Sequence, residues 1–179
     1  RDLYKNYKDK ESICSDYNLG QCFIVPEGGA NRFGIKGCGE ITKEVNINFN
    51  YVCCPVGTGC TASGIIQAIH PNQFFLGFCA FSKIHEQKKS IIKFLNFRDY
   101  KNWQLFPEKY FGGFAKVNNN LVQFIKNFKL DYNIELDLIY TGKMFYSLFK
   151  FIEHDFFQPN SKLLVIHTGG LQCVPDQNY

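Results

Sequence analysis

The chain has 179 residues, of which 45% are hydrophobic and 20% charged, and its formal net charge is +4. This length suits one domain with a substantial core. Lysine and arginine are scattered among 16 acidic residues without a basic block, which argues against a nucleic-acid partner. No apolar run approaches the roughly 18 residues of a membrane span. The charged N-terminal stretch is not a signal peptide. We therefore expect no membrane partner and a cytoplasmic location.

Strand and helix patterns alternate along the chain. Short apolar runs predict strands at 22–25, 51–54, 73–78, 103–106 and 163–166. Apolar residues at helical spacing predict helices over about 34–45, before Pro71, after residue 84, after an Asn cap at 118–120, and over about 142–154. Such alternation predicts an α/β fold: an open, mostly parallel sheet with helices on both faces. In these sheets ligands bind at the carboxyl ends of the strands.

The eight cysteines do not form a pattern typical of disulfides or metal sites. Cys53 and Cys54 are adjacent in an apolar run, and Cys79 ends another. No C-x-x-C pair and no Cys/His cluster with zinc-finger spacing occurs. We therefore predict free buried thiols in a reducing compartment and no metal ligands.

The segment PVGTGCTASG, residues 55–64, joins a buried strand to a helix through a Gly/Thr-rich turn. Gly57 and Gly59 allow close backbone approach, and the first amides of the helix point at the turn with the positive end of the helix dipole. The turn lacks the lysine of an ATP-type phosphate loop and the glycine spacing of a dinucleotide site. A monophosphate carried by a cofactor suits it better than a nucleotide. The alternative is an ordinary turn whose Gly and Thr serve geometry and capping alone.

Six segments occur in an order typical of one enzyme family. They are VPEGGANRFGIKG (25–37), PVGTGCTASG (55–64), HPNQFFLGF (70–78), YFGGFAKV (110–117), IYTGKM (139–144) and SKLLVIHTGGLQ (161–172). From about Gly20 to Gln172 the chain resembles the C-terminal part of the 1-aminocyclopropane-1-carboxylate deaminase and D-cysteine desulfhydrase family. Members of that family use pyridoxal 5′-phosphate (PLP) and have the tryptophan-synthase-β-like fold, fold type II.

The resemblance implies a domain organisation and a cofactor site. Residues 20–179 would form the large-domain α/β portion, and residues 1–19 a tail or a remnant of the small domain. Residues 57–61, hereafter the phosphate cup, would hold the PLP phosphate through backbone amides and threonine hydroxyls; they are Gly57, Thr58, Gly59, Cys60 and Thr61. The family has glycine at the position of Cys60, whose side chain is expected to crowd the phosphate or to change the turn.

Two neighbouring residues match family positions at the cofactor ring. Tyr140 matches a tyrosine that positions substrate or moves protons, although an ordinary core tyrosine is the alternative. Thr141 matches the residue that meets the pyridine nitrogen; ring-opening deaminases have Glu there, and D-cysteine desulfhydrases have a hydroxyl residue. Thr141 could also simply cap the following helix. A hydroxyl leaves the ring a weaker electron sink, which β-elimination of sulfide tolerates better than ring opening does.

The family's Schiff-base lysine and its Ser-Asn-His substrate motif do not occur in these 179 residues. Lys36 and Lys143 lie in other motifs and are predicted to be solvated or structural lysines. The resemblance implies a PLP-dependent lyase of small amino acids, D-cysteine desulfhydrase-like, with a homodimer as the candidate assembly. The alternatives are a 1-aminocyclopropane-1-carboxylate deaminase and a non-catalytic phosphate- or PLP-binding remnant, or a partner of a chain that carries the lysine half. We expect this chain to be inactive alone.

Overall fold

A four-stranded sheet forms the centre of the molecule. The computed structural model describes residues 14–175, so most of the predicted tail lies outside the described residues. The strands are β1 (Tyr51–Val56), β2 (Phe74–Cys79), β3 (Trp103–Phe106) and β4 (Leu163–Val165). Their order is β3-β2-β1-β4, and every neighbouring pair is parallel. The predicted open parallel sheet is thereby confirmed.

Five α-helices have bounds that the structure gives in full, and they follow the predicted pattern closely. They are α1 (Arg32–Glu40), α2 (Cys60–Ala68), α3 (His85–Phe94), α4 (Asn119–Tyr132) and α5 (Thr141–Glu153), with 3-10 turns at Glu27–Gly29 and Leu171–Cys173. The predicted helix over 34–45 begins earlier and ends at Glu40. Every helix within residues 14–175 is too short or too polar to cross a membrane.

Helices cover both faces of the sheet, as predicted. On one face Ile65 and Ile66 of α2 and Ile91 of α3 pack in a fully buried cluster with side chains of β1 and β2. On the other face Met144 and Leu148 of α5 pack against the sheet. Helix α4 lies against α5 through a second, largely aromatic cluster. This burial on both faces explains why the strand sequences are continuous apolar runs rather than alternating ones.

The predicted strand over 22–25 is wrong. In the structure this segment has no strand partner, and Phe23 and Val25 are 64% and 66% exposed. So short an apolar run does not make a strand unless a sheet edge is available for pairing. The segment instead leads into the 3-10 turn and α1. The buried free thiols that we predicted are confirmed for Cys53, Cys54, Cys60 and Cys79.

Candidate functional site

The phosphate cup lies where β1 ends and α2 begins. Gly59 is the N-cap of α2, has a φ of +92°, and provides no side-chain cap. A Cβ at Gly59 would stand 2.8 Å from Cγ1 of Ile91, so both the backbone conformation and the packing require glycine. The first bond of the helix runs from the Ser63 amide to the Gly59 carbonyl over 2.9 Å. The amides of Cys60, Thr61 and Ala62 therefore have no partner within the helix and can bind an anion.

The Cys60 side chain lies against the segment before α1. Cys60 is 3% exposed, and its thiol donates to the carbonyl of Gly29 over 3.4 Å. Burial, followed by the nearby thiol of Cys38, raises the pKa of Cys60. The sulfur thus packs as a small apolar group, and the part of Cys60 that can reach a phosphate is its amide. Thr61 is half-buried, and its hydroxyl accepts from the Cys38 thiol over 3.7 Å.

Glycines before and within α1 let the chain pack directly on the cup. Gly28 has a φ of +64°, and a Cβ there would lie 2.6 Å from Oγ1 of Thr58. A Cβ at Gly34 would lie 2.2 Å from the carbonyl oxygen of Gly29. Both approaches are too close for any other residue. The segment 25–37, which stands out in the sequence only by its resemblance to the family, therefore contacts Thr58 and Cys60 from one side.

Tyr140 lies beside the cup. Its hydroxyl oxygen is 3.5 Å from where a Cβ on Gly57 would stand, and its ring meets that of Phe114 edge-on at 6.0 Å between centroids. Burial, and then the carboxylates of Asp137 and Glu27, raise the pKa of Tyr140. The phenol therefore keeps its proton at neutral pH and can donate a hydrogen bond to a ligand held at the cup.

Thr141 is fully buried, and its hydroxyl is engaged by Asp137. The hydroxyl donates to Oδ2 of Asp137 over 2.5 Å and accepts from the Asp137 amide over 2.9 Å. Asp137 also accepts from the amides of Ile139, Tyr140 and Thr141, each at 2.7 Å. Asp137 thereby satisfies the first amide of α5, whereas the Thr141 hydroxyl accepts from no amide of the helix. The alternative that Thr141 itself caps the helix is therefore wrong. A role for Thr141 at the cofactor ring stays a prediction.

Glu108 organises the loop between β3 and α4, and sequence reasoning did not identify it. Its carboxylate is 5% exposed and accepts from three backbone amides, those of Tyr110, Phe111 and Gly113. A buried carboxylate that is satisfied in this way fixes the loop backbone. The loop places Phe114 against Phe81, with ring centroids 4.9 Å apart. Phe114 in turn packs on Tyr140.

Lys143 has a structural role, as predicted, but it is buried rather than solvated. It is 2% exposed, and its ammonium donates to the carbonyl oxygen of Gly113 over 2.7 Å. Burial lowers the pKa of Lys143, and the carboxylates of Glu108 and Asp137 oppose that shift. Lys143 thus links α5 to the β3–α4 loop. Lys36 is exposed on α1.

The segment after β4 joins the same edge of the sheet. Nε2 of His167 lies 2.7 Å from the carbonyl oxygen of Glu135, and the Leu138 amide donates to the Cys173 carbonyl over 2.8 Å. These bonds tie the segment to the loop that leads to Tyr140. The carboxyl ends of β1 and β4 and the start of α5 therefore meet, as predicted from the parallel sheet.

Comparison with known proteins agrees with the motifs. No protein-family model matches the chain. It is 28% identical over 169 residues to a Pyrococcus furiosus protein, covering 83% of this chain and 50% of that protein. A Pyrococcus abyssi relative is 27% identical over 176 residues, with 85% and 51% covered. Both are named "Putative 1-aminocyclopropane-1-carboxylate deaminase".

A solved structure of a homologue of 1-aminocyclopropane-1-carboxylate (ACC) deaminase is similar to this chain, with a TM-score of 0.72 and 24% identity. The match covers 92% of this chain and 57% of the solved one. That likeness confirms the fold. The chain spans about half the length of the curated relatives that it matches. The resemblance to the 1-aminocyclopropane-1-carboxylate deaminase family is therefore confirmed over this half.

Proposed function

We propose that this chain supplies the phosphate-binding half of a PLP-dependent lyase that acts on a small amino acid. The proposal rests on the start of α2, whose first amides have no partner within the helix. The half-buried phenol of Tyr140 lies beside Gly57, just before these amides. The names of the curated relatives support the same class of enzyme. PLP, when bound, supplies the electron sink for bond breaking at the amino acid.

The residues of the cup suit the phosphate of this cofactor. Gly57 and Gly59 have no side chains, the helix start offers amides without helical partners and a positive dipole, and Thr61 is half-buried. Amides of residues 57–61 and the hydroxyls of Thr58 and Thr61 would hold the phosphate. The Tyr140 phenol would orient the pyridine ring of the ligand and hold a proton near that ring. The binding is therefore expected to depend on the phosphate group.

A ligand without an aldehyde tests this proposal without labelling surface lysines. We expect the chain to bind pyridoxamine 5′-phosphate, to bind pyridoxamine far more weakly, and to lose about tenfold in affinity on Thr61→Ala, the loss of one hydrogen bond to a charged group. Isothermal titration measures all three. Ser161→Ala is the control, because it removes a hydroxyl just before β4, at the amino ends of the strands and away from the cup. Equal affinity for the two ligands, or for Thr61→Ala and the original chain, would remove the proposal.

Among the substrates we favour D-cysteine, with pyruvate, sulfide and ammonia as products. The support is Thr141, a neutral residue where ring-opening deaminases have a carboxylate, and the buried hydrogen bonds that commit its hydroxyl to Asp137. Thr141 itself carries no negative charge that would hold a pyridinium protonated, and the nearest carboxylate, that of Asp137, lies behind its hydroxyl. Elimination of a good leaving group such as thiolate tolerates a weaker electron sink.

A 1-aminocyclopropane-1-carboxylate deaminase is the second candidate, because the curated relatives carry that name. The two candidates differ in kcat/KM for D-cysteine and for aminocyclopropane carboxylate, measured on the full-length parent protein. We expect D-cysteine to be preferred, and Thr141→Glu to shift preference towards ring opening. Thr141→Ser keeps the bond to Asp137 and is the control, and Cys60→Gly shows whether the cofactor site itself limits activity. Faster ring opening in the unmodified protein would overturn the assignment.

A non-catalytic phosphate- or PLP-binding remnant is the proposal of another class. Such a remnant would bind phosphate at the cup as the two enzyme candidates do. Unlike them, the parent protein would turn over neither substrate. Cofactor binding without turnover, in a parent that has no lysine at the cofactor, would favour it.

A further inference from the structure

A groove between α4 and the second half of α5, hereafter the aromatic groove, is lined mainly by rings. Its volume is about 250 Å³. Neighbouring ring centroids in it lie between 4.6 and 6.2 Å apart; the rings are those of Phe124, Phe128, Tyr132, Tyr146 and Phe149. Phe128 is 5% exposed, whereas Tyr132 is 53% exposed. The rings therefore pack on the core on one side and leave an aromatic surface that solvent reaches on the other.

Each of the two helices also places a carboxylate at the aromatic groove, Asp131 from α4 and Glu153 from α5. Asp131 follows Phe124 by seven residues and so lies on the same face of α4. Lys150 pairs with Glu153, but none of the ion pairs within residues 14–175 includes Asp131. Two carboxylates against one ammonium make the lining of the groove acidic, although the whole chain has a net charge of +4.

The ammonium of Lys150 shows what the aromatic groove can bind. Its Nζ lies 5.7 Å from the centroid of the Tyr146 ring and donates to Oε2 of Glu153 over 2.6 Å. A cation within about 6 Å of an aromatic face is attracted by the quadrupole of the ring. The α4 side of the groove offers the same two features, a ring from Tyr132 and a carboxylate from Asp131. The groove therefore has a place for a second cation.

We propose that the aromatic groove is a binding site for a small quaternary ammonium ion. The ring faces and the Asp131 carboxylate attract positive charge, and a fully alkylated nitrogen has no N–H group that would be left without an acceptor among the rings. The volume equals that of roughly eight water molecules at about 30 Å³ each, which suits a compound of the size of choline. The groove does not include Tyr140 or the phosphate cup, so this inference is independent of the cofactor proposal.

Choline and its neutral isostere 3,3-dimethylbutan-1-ol test the inference, because they have the same shape and differ in charge. In an NMR titration of the 179-residue chain, choline should give saturable shifts of the ring signals of Tyr132 and Phe149. The alcohol should bind at least about tenfold more weakly. Equal affinities would show that the groove selects apolar shape rather than charge, and would overturn the inference. Absence of saturable shifts with choline would overturn it as well.

Variants at the mouth of the groove give a second measurement. Tyr132→Leu should weaken choline binding about fivefold, whereas Tyr132→Phe keeps the ring and should bind as the original chain does. Asp131→Asn should weaken binding about threefold, and Asp99→Asn, in the loop before β3, should not. Lys150→Met removes the competing ammonium and should tighten binding. Equal affinities of the two Tyr132 variants, or weaker binding by Lys150→Met, would contradict a cation site formed by these rings.

Discussion

Helices α2 and α5 begin near one another at the carboxyl edge of the sheet, but their first turns are satisfied in opposite ways. The start of α2 has a glycine N-cap and no side-chain cap. The N-cap of α5, Tyr140, also provides no side-chain cap, but the Asp137 carboxylate in the preceding turn accepts from the Thr141 amide, the first of the helix, from the amides of Ile139 and Tyr140 before it, and from the Thr141 hydroxyl. Both helix starts carry the same positive dipole. At α5 the Asp137 carboxylate meets it, whereas Gly59, the N-cap of α2, supplies no side chain.

This difference separates a structural capping motif from a ligand site. An anion at the start of α5 would compete with a buried carboxylate that already occupies the amides. An anion at α2 would meet amides without partners in the helix. The residues that matched family motifs therefore divide into two groups: the amides at the start of α2 have no partner within the helix, which supports the proposed ligand site, while the side chains of Thr141 and Lys143 are engaged by other parts of the protein.

Removing the Asp137 carboxylate should produce the largest loss of stability. Asp137→Ala leaves three amides without their acceptor and the Thr141 hydroxyl without the group to which it donates, so the free energy of unfolding should fall by about 3 kcal/mol. Urea denaturation measures it. Asp131→Ala, at an exposed position of α4, is the control and should change stability by less than about 0.5 kcal/mol. Similar effects in the two variants would contradict the role of Asp137.

The stability of α2 depends on its close packing against α1, because the helix has no side-chain cap. A Cβ at Gly64 would lie 2.4 Å from the carbonyl oxygen of Ile35 on α1, so Gly64→Ala should destabilise the chain by about 2 kcal/mol. Gly37→Ala on α1 meets nothing within 4 Å and should stabilise by about 0.5 kcal/mol or more. A stabilising Gly64→Ala in thermal or urea unfolding would show that α1 and α2 do not pack so closely.

The strands beneath both helix starts carry thiols that make stability depend on pH. Burial raises the pKa of Cys53 and of Cys79 to about 12 from 9.0, and also raises that of Cys54. Above pH 9 the unfolded chain loses these protons while the native chain retains them. The free energy of unfolding should therefore fall between pH 9 and 12, by up to about 1.4 kcal/mol per pH unit for each thiol.

Cys79→Ala isolates one of these contributions. Urea unfolding at pH 8 and pH 10 should show a smaller loss of stability in this variant than in the original chain. Cys173→Ala, which removes an exposed thiol, should leave the loss unchanged. The same slope in all three proteins would mean that the buried thiols do not titrate as proposed.

The sequence predicted the parallel sheet because its strands are apolar throughout and lie between helical repeats. It predicted that a Gly/Thr-rich turn joins a buried strand to a helix, and this turn lies between β1 and α2; phosphate binding at the turn stays a prediction. It did not identify Glu108 or Asp137, since a buried carboxylate that binds amides looks the same in sequence as a solvated one. A Pro before Glu108 and an acid four residues before Thr141 were the available signals. The wrongly predicted strand over 22–25 shows that a short apolar run alone does not indicate whether a partner strand exists.

Amide chemical shifts in a phosphate titration test the central claim most directly. On adding pyridoxamine 5′-phosphate to the labelled chain, we expect large, saturable shifts at the amides of Cys60, Thr61 and Ala62. The amides of Ile139 and Thr141, held by Asp137, should not respond in this way and serve as the internal control. Inorganic phosphate should shift the same cup amides more weakly. Shifts absent from the cup, or equally large at both helix starts, would contradict the account.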